Sequence, residues 1–118
     1  MTTTTAPLSI YPVGGYISKA VSGMLLGEDP LHIFIVRDLV MASFKGPKVV
    51  NPKFFGQDRG VAEKVIVDAI DTGERQGVLK VEYSENAKGY PQMEVSPTTK
   101  CVEALKQAKA DAQSYFRK

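Results

Sequence analysis

An alternation of apolar and polar residues in the second half of the chain limits its fold more than any other feature. Leu79, Val81 and Tyr83 alternate with Lys80 and Glu82. A period of two is typical of a β-strand with one buried face. A polar stretch over 84–89 follows, and a second extended stretch runs over 90–95. The sequence therefore predicts a β-hairpin with a six-residue polar tip, to which the remaining elements must be fitted.

Two helices are predicted in the first part of the chain. An apolar stripe at helical spacing lies between residues 11 and 27. A second helix is expected over 31–44, with Asp29 as its N-cap and Pro30 at its first position. The second segment contains nine large apolar residues. So dense a pattern predicts burial on nearly all sides of the helix.

Between these helices and the hairpin, the sequence predicts a very short strand, one helical turn and a longer helix. Residues 48–50 are expected to form a very short strand. One helical turn follows and is expected to end at Gly56. Asp58 is then predicted to cap a helix that runs to about Thr72, with Gly73 as its C-terminal stop. The buried face of this helix is predicted to consist of Val61, Val65, Ile66, Ala69 and Ile70.

The end of the chain predicts a long helix over 97–116, with Ser96 as its cap and Pro97 in its first position. Its apolar stripe includes Val102 and Leu105, and the helix is long enough to extend beyond a small domain. The stripe needs a covering surface. Two arrangements fit the sequence, namely packing on the N-terminal helix of the same chain and a homodimer through the C-terminal helix.

The length and composition indicate the type of protein. With 118 residues, the chain is expected to form a disordered N-terminal lead over 1–9 and a single domain over 10–118. It has no apolar run of about 18 residues, so no membrane partner is expected. Cys101 is the single cysteine, which points to a reducing compartment. Together with the lack of a recognisable signal peptide, this predicts a cytoplasmic location.

The order of the elements, with the hairpin and final helix over 77–105, resembles a winged helix-turn-helix. The wing is similar to that of bacterial regulators of the PadR and MarR type. Val95 and Ser96 stand where those wings end in an apolar residue and Thr, and Thr99 and Lys100 where a small residue and a basic one open the last helix. The resemblance implies an α+β winged-helix domain with additional N- and C-terminal helices. It also implies a DNA-binding transcriptional regulator.

The charge distribution identifies candidate contacts with double-stranded DNA. Residues 45–60 carry four basic side chains and one acidic side chain, although the whole chain has a net charge of only +2. Cations in this segment are expected to contact phosphates. Gln57 and Arg59, at the start of the helix predicted from Asp58, are expected to reach base edges. Lys88, at the wing tip, is expected to contact a phosphate. The predicted DNA-binding residues are Lys48, Lys53, Gln57, Arg59, Lys64 and Lys88.

An acidic surface on the same helix leaves a second function open. Residues 58–75 carry five acidic side chains and three basic ones, and carboxylates repel phosphates. Glu63, Asp68 and Asp71 would instead suit a protein partner. The alternative is therefore a non-enzymatic adaptor, or a subunit of a larger complex, that docks a protein through this face and the hairpin.

The sequence predicts no enzyme, no cofactor and no metal site. His32 is the only histidine and has no accompanying ligands at a suitable spacing, so it is interpreted as structural. Cys101 has no identifiable base nearby and is interpreted as a small buried residue. Its place near a helix N-terminus leaves redox sensing as the alternative.

Overall fold

The computed structural model describes residues 15–116, over which the fold is α+β. The first predicted helix is present as α1 (Tyr16–Met24). The described elements are, in chain order, α1 (Tyr16–Met24), α2 (Pro30–Ala42), β1 (Lys48–Val50), α3 (Pro52–Arg59), α4 (Glu63–Arg75), β2 (Leu79–Glu85), β3 (Pro91–Pro97) and α5 (Thr99–Phe116). The predicted lead over 1–9 lies outside the described residues. No helix within the described range is long and apolar enough to cross a membrane.

The three strands form one antiparallel sheet in the order β1–β3–β2. The predicted hairpin is confirmed, and Glu85 pairs with Pro91 at its outer end. Its tip is closed by Asn86, whose side-chain oxygen accepts hydrogen bonds from the backbone N–H groups of Lys88 and Tyr90. The short strand at 48–50 is also confirmed, and it pairs with β3 so that Val50 faces Met93.

Helix α2 begins as predicted but is buried on one side only. The Asp29 carboxylate accepts a hydrogen bond from the Leu31 N–H at 2.8 Å, and Pro30 takes the first position. Contacts with α1, α4 and β3 bury Ile35, Val36, Leu39 and Val40. The predicted burial on nearly all sides is wrong, because no described element covers the opposite side. Leu31, Phe34 and Met41 are therefore between 39% and 49% exposed.

The boundary between α3 and α4 differs from the prediction. Helix α3 is capped by Asn51, continues through Gly56 and ends at Gly60, whose φ of 68° is left-handed. Gly56 therefore does not break the helix. Asp58 lies inside α3 and is no N-cap, since α4 begins only at Glu63. Close packing explains why a glycine stands inside this helix. A Cβ atom on Gly56 would overlap the carbonyl oxygen of Val61 at the turn.

The end of α4 also differs from the prediction. Gly73 was expected to stop the helix but lies inside it, and α4 continues to Arg75. A Cβ atom at Gly73 would lie 2.9 Å from Leu79 Cδ1 and 3.2 Å from Val36 Cγ2. Glycine is therefore needed there for the approach of neighbouring elements. The chain reverses instead at Gly77, where φ is +75°.

Helix α5 starts two residues later than predicted. Pro97 is the last residue of β3, and Thr98 caps the helix by accepting a hydrogen bond from the Cys101 N–H at 3.0 Å. The buried side of α5 packs on α1 of the same chain, so intrachain packing covers part of its apolar stripe. The buried residues of the two helices are Tyr16, Ile17, Ala20, Val21, Cys101, Leu105 and Ala108.

Candidate nucleic-acid interface

Three of the predicted contact residues are exposed lysines on separate elements. Lys48 opens β1, Lys53 lies in the first turn of α3, and Lys88 lies in the hairpin tip. None of them forms an ion pair with a carboxylate among residues 15–116. The register of β1 on β3 places Lys53 and the hairpin tip at the same end of the sheet, and Lys48 at the opposite end of β1.

Gln57 and Arg59 belong to α3, although the sequence placed them at the start of the following helix. Gln57 is exposed and lies one turn after Lys53, so the two residues share one side of α3. Their position therefore differs from the predicted one at the N-terminus of α4. The cause is the continuation of α3 through Gly56.

Arg59 is held against α2. Its Nε atom lies 3.4 Å from Oδ2 of Asp38, and its guanidinium group lies over the Phe55 ring at 3.5 Å from the centroid. Arg37 contacts the other oxygen of the same carboxylate at 3.2 Å. Asp38 lies 21 residues before Arg59, so the sequence pattern did not reveal this pairing. The ion pair joins α2 to the end of α3 and engages Arg59 with a carboxylate.

The exposed side of α4 is predominantly acidic. Lys64 is 84% exposed and lies 3.0 Å from Asp68, while Arg75 lies 2.9 Å from Asp71. The hydrogen bond that Arg75 donates to the Asp71 carboxylate, followed by the charge of that carboxylate, raises the pKa of Arg75. Both cations of α4 thus have carboxylate partners one turn away. Glu63 and Glu74 add two further exposed carboxylates, which leaves α4 with a net negative charge.

A contact missed by the sequence reasoning joins the hairpin to α4. The Tyr83 hydroxyl group donates a hydrogen bond to Oε1 of Glu74 at 2.8 Å. Partial removal of the hydroxyl group from water, followed by the bond and charge of Glu74, raises the pKa of Tyr83 to about 12. The period-two pattern identified the strand containing Tyr83, but it could not show which helix lies beside it.

Tyr83 is expected to titrate later than an ordinary tyrosine. The pKa of Tyr83 is raised from 10, so the hydrogen bond that its protonated hydroxyl group donates to Glu74 is fully present below pH 10. This bond is lost as the pH rises through about 12. Ultraviolet titration of the phenolate band should show one late step in the native protein. That step should disappear in Tyr83→Phe. If Tyr83→Phe instead loses absorbance change near pH 10, the hydrogen bond to Glu74 does not form in solution.

Cys101 is fully buried in the first turn of α5. Burial raises the pKa of its thiol to about 11. The thiolate is the reactive form of cysteine, so this environment supports the structural interpretation over redox sensing. His32 belongs to α2, and its side chain lies against α4, with Nδ1 3.4 Å from Oγ1 of the buried Thr72. Its surroundings fit a packing role.

The native protein is expected to resist thiol reagents. At pH 8 a disulfide reagent should modify Cys101 only as fast as the chain opens, and modification should become rapid in denaturant. Measuring the release of the coloured thiol product in native buffer and in urea checks this expectation. Fast stoichiometric reaction in native buffer would contradict the buried environment of Cys101.

The described residues contain no group of three or more histidine, cysteine, aspartate or glutamate side chains placed to hold a metal ion. Asp68 and Asp71 lie one turn apart, but each is engaged by a cation on the same helix. The exposed lysines of β1, α3 and the hairpin tip offer positive charge for binding.

No protein-family model, curated protein or solved structure matches the chain.

Proposed function

We propose that the protein is a winged-helix protein that binds double-stranded DNA and regulates transcription, with the hairpin as the wing. The observation that carries the proposal is the placement of Lys48, Lys53 and Lys88, which have no ion-pair partner among residues 15–116. They lie on a strand, a helix N-terminus and a hairpin tip. The sheet order β1–β3–β2 and the preceding helices α2, α3 and α4 are compatible with this fold.

The proposed contacts are mainly with phosphates. Lysine acts on phosphate as a point charge. The contact at α3 depends on the Lys53 side chain, because the Asn51 side chain already accepts hydrogen bonds from the Lys53 and Phe54 N–H groups. Gln57, on the same side of α3, is the candidate for a base contact. The carboxylates of α4 oppose deep insertion of that helix into a groove. We therefore expect binding that depends strongly on salt and weakly on DNA sequence.

Fluorescence anisotropy with a labelled mixed-sequence duplex tests the proposal. If three lysines neutralise three phosphates, the slope of log K against log salt should be about −2.7. The triple variant Lys48→Ala, Lys53→Ala, Lys88→Ala should lose most of this slope and bind at least about tenfold more weakly at low salt.

A matched triple variant controls for net charge. Lys19, Lys100 and Lys109 are exposed on α1 and α5, so replacing all three by alanine removes the same charge from other surfaces. This control should retain nearly the wild-type slope. Equal loss in both triple variants, or no binding by the wild-type protein at about 50 mM salt, would refute the proposed site.

A second candidate function rests on the acidic side of α4. Glu63, Asp71 and Glu74 are exposed there, and Val67 adds an apolar side chain that is 36% exposed. An adaptor of this kind would bind a basic protein segment, with opposite charges speeding the encounter. The residues involved differ from the three lysines, so the two functions can be separated by mutation.

Charge reversal on α4 distinguishes the two candidates. Replacing Asp68 and Asp71 by lysine should strengthen DNA binding, because it removes carboxylates that repel phosphates. The same variant should lose a basic protein partner. A pull-down in which the wild-type protein retains a stoichiometric partner, and the double variant releases it, would favour the adaptor.

A further inference from the structure

The uncovered side of α2 forms an apolar stripe that ends in a turn. Leu31 is 43% exposed, Phe34 49%, Met41 39% and Phe44, just after the helix, 47%. A helix whose residues are apolar on all sides is normally covered on all sides. Here the opposite side of α2 contacts α1, α4 and β3, and no other described element packs on the stripe. Only the Arg37 guanidinium, from α2 itself, lies over the Phe34 ring, at 4.4 Å from its centroid. We call these four apolar residues the α2 stripe.

The α2 stripe is self-complementary around its centre. Arg37 and Asp38 lie halfway along it, with Phe34 and Leu31 on one side and Met41 and Phe44 on the other. If a second α2 helix lies antiparallel across a two-fold axis between residues 37 and 38, Phe34 faces the partner's Met41. Leu31 then faces the partner's Phe44. Each apolar residue thus meets an apolar one.

The charged residues favour the same antiparallel arrangement. At the centre, Arg37 and Asp38 already form an ion pair within the chain, and Asp38 also contacts Arg59. In the antiparallel dimer the two central pairs lie side by side, with Arg37 next to the partner's Asp38. At the ends, Glu28 and Asp29 precede α2, whereas Lys45 and Lys48 follow it. Antiparallel packing places these acidic and basic ends together, and it also opposes the helix dipoles. Parallel packing would bring like charges together.

We propose that the occupant of the α2 stripe is a second copy of this chain, bound antiparallel through α2. The proposal does not depend on DNA binding. It places the dimer contact on α2, whereas the sequence had suggested the C-terminal helix. A groove of about 160 Å³ extends the surface beyond Phe44, with Val102 on its wall and Lys106 and Lys109 at its edge. The partner's Leu31 and the adjacent Asp29 carboxylate match the apolar and basic parts of this groove.

The contact area indicates a reversible dimer. A helix of 13 residues is about 20 Å long. Two such helices alone cover less than the roughly 800 Å² per partner of a standard stable interface, so the groove is needed to extend it. We therefore expect a dissociation constant in the micromolar range, and the protein concentrations in the measurement have to cover that range.

Sedimentation velocity of the full chain between about 5 and 200 µM tests for the dimer. The wild-type mass should rise from 12.9 kDa toward twice that value. Phe34→Asp should raise the dissociation constant by at least about 30-fold, since a central aromatic residue is a typical hot spot. Val49→Asp is the matched control, because Val49 is 52% exposed on β1 and away from α2. This control should leave the constant within about threefold.

Cysteine cross-linking tests the relative orientation of the two α2 helices in the dimer. Positions 34 and 41 lie two turns apart on α2, about 10 Å along the axis, which is too far for a bond within one chain. Oxidation of a mixture of Phe34→Cys and Met41→Cys should give a disulfide-linked dimer, whereas either variant alone should give little. Cys101 is buried and should not contribute.

Three results would overturn the proposal. The first is a mass that stays at the monomer value up to about 200 µM, because a dimer with this contact area is expected to form below that concentration. The second is a wild-type dimer that persists undiminished in a folded Phe34→Asp variant. The third is a cross-linked product from Phe34→Cys alone at the yield of the mixture, since it would require a parallel or shifted packing of α2.

Discussion

Replacing Gly56 by alanine is expected to lower the free energy of unfolding by about 1–3 kcal/mol, although alanine is the better helix former. Gly56 is buried inside α3, and an added Cβ would overlap the Val61 carbonyl oxygen and approach Ile66 Cγ1 at 3.3 Å. Overpacking of this kind costs about 1–3 kcal/mol. The turn would also lose the hydrogen bond from the Val61 N–H to the Gly56 carbonyl oxygen, worth about 1 kcal/mol. The gain in helix propensity, about 1 kcal/mol, offsets only part of this.

Urea unfolding followed by circular dichroism measures the effect, with Gly23→Ala as the control. Gly23 is exposed within α1, and a Cβ atom there would meet nothing within 4 Å. Gly23→Ala should therefore stabilise the protein by about 0.5–1 kcal/mol through propensity alone. If both variants are stabilised equally, the close contact between Gly56 and Val61 is absent in solution.

The parts of the fold that were predictable from sequence are those determined by local signals. The β-hairpin follows from alternation of side chains over 79–83, and Asp29-Pro30 marks the start of α2 by cap chemistry. Asp29 caps α2 itself, and Leu79 and Val81 of the alternation face the core, whereas Tyr83 is 60% exposed. Neighbouring elements do not need to be known.

The two glycine errors have one physical cause. Gly56 and Gly73 have the local signature of helix breakers, yet both lie inside helices because another element packs against them. That close approach depends on tertiary structure, which overrides propensity. The actual breaks are Gly60 and Gly77, where φ is positive. Four glycines in similar polar surroundings thus fall into two classes that a pattern does not separate.

The candidate site was only partly predictable for a related reason. Exposure of Lys48, Lys53 and Lys88 follows from the residue type, because lysine is rarely buried without a partner. The pairing of Arg59 with Asp38 joins residues far apart in sequence, and so requires the packing of α2 on α3 to be known. Lys64 pairs with Asp68 at an i, i+4 spacing that is typical of a helix ion pair, although Lys64 was predicted to contact DNA. The exposed stripe of α2 was not predictable, since composition does not indicate which side of a helix is covered.

Replacing Ile70 by alanine is expected to have the largest effect of any single change considered, about 2–5 kcal/mol of lost stability. Ile70 is 1% exposed on the side of α4 that belongs to the core. Truncation removes its transfer free energy and leaves a cavity that the surrounding helices fill only in part. Because one domain of this size unfolds cooperatively, the loss should appear as a lower urea midpoint with an unchanged m-value.

Val67 on the same helix supplies the control that makes this prediction informative about function. It is 36% exposed on the acidic side of α4, so Val67→Ala should change stability by no more than about 0.5 kcal/mol. Similar losses in both variants would mean that α4 is covered on both sides in solution, contrary to its exposure here. If only Ile70→Ala is destabilised, Val67 is free for binding. A loss of partner binding in Val67→Ala at unchanged stability would then be assigned to the adaptor surface and not to unfolding.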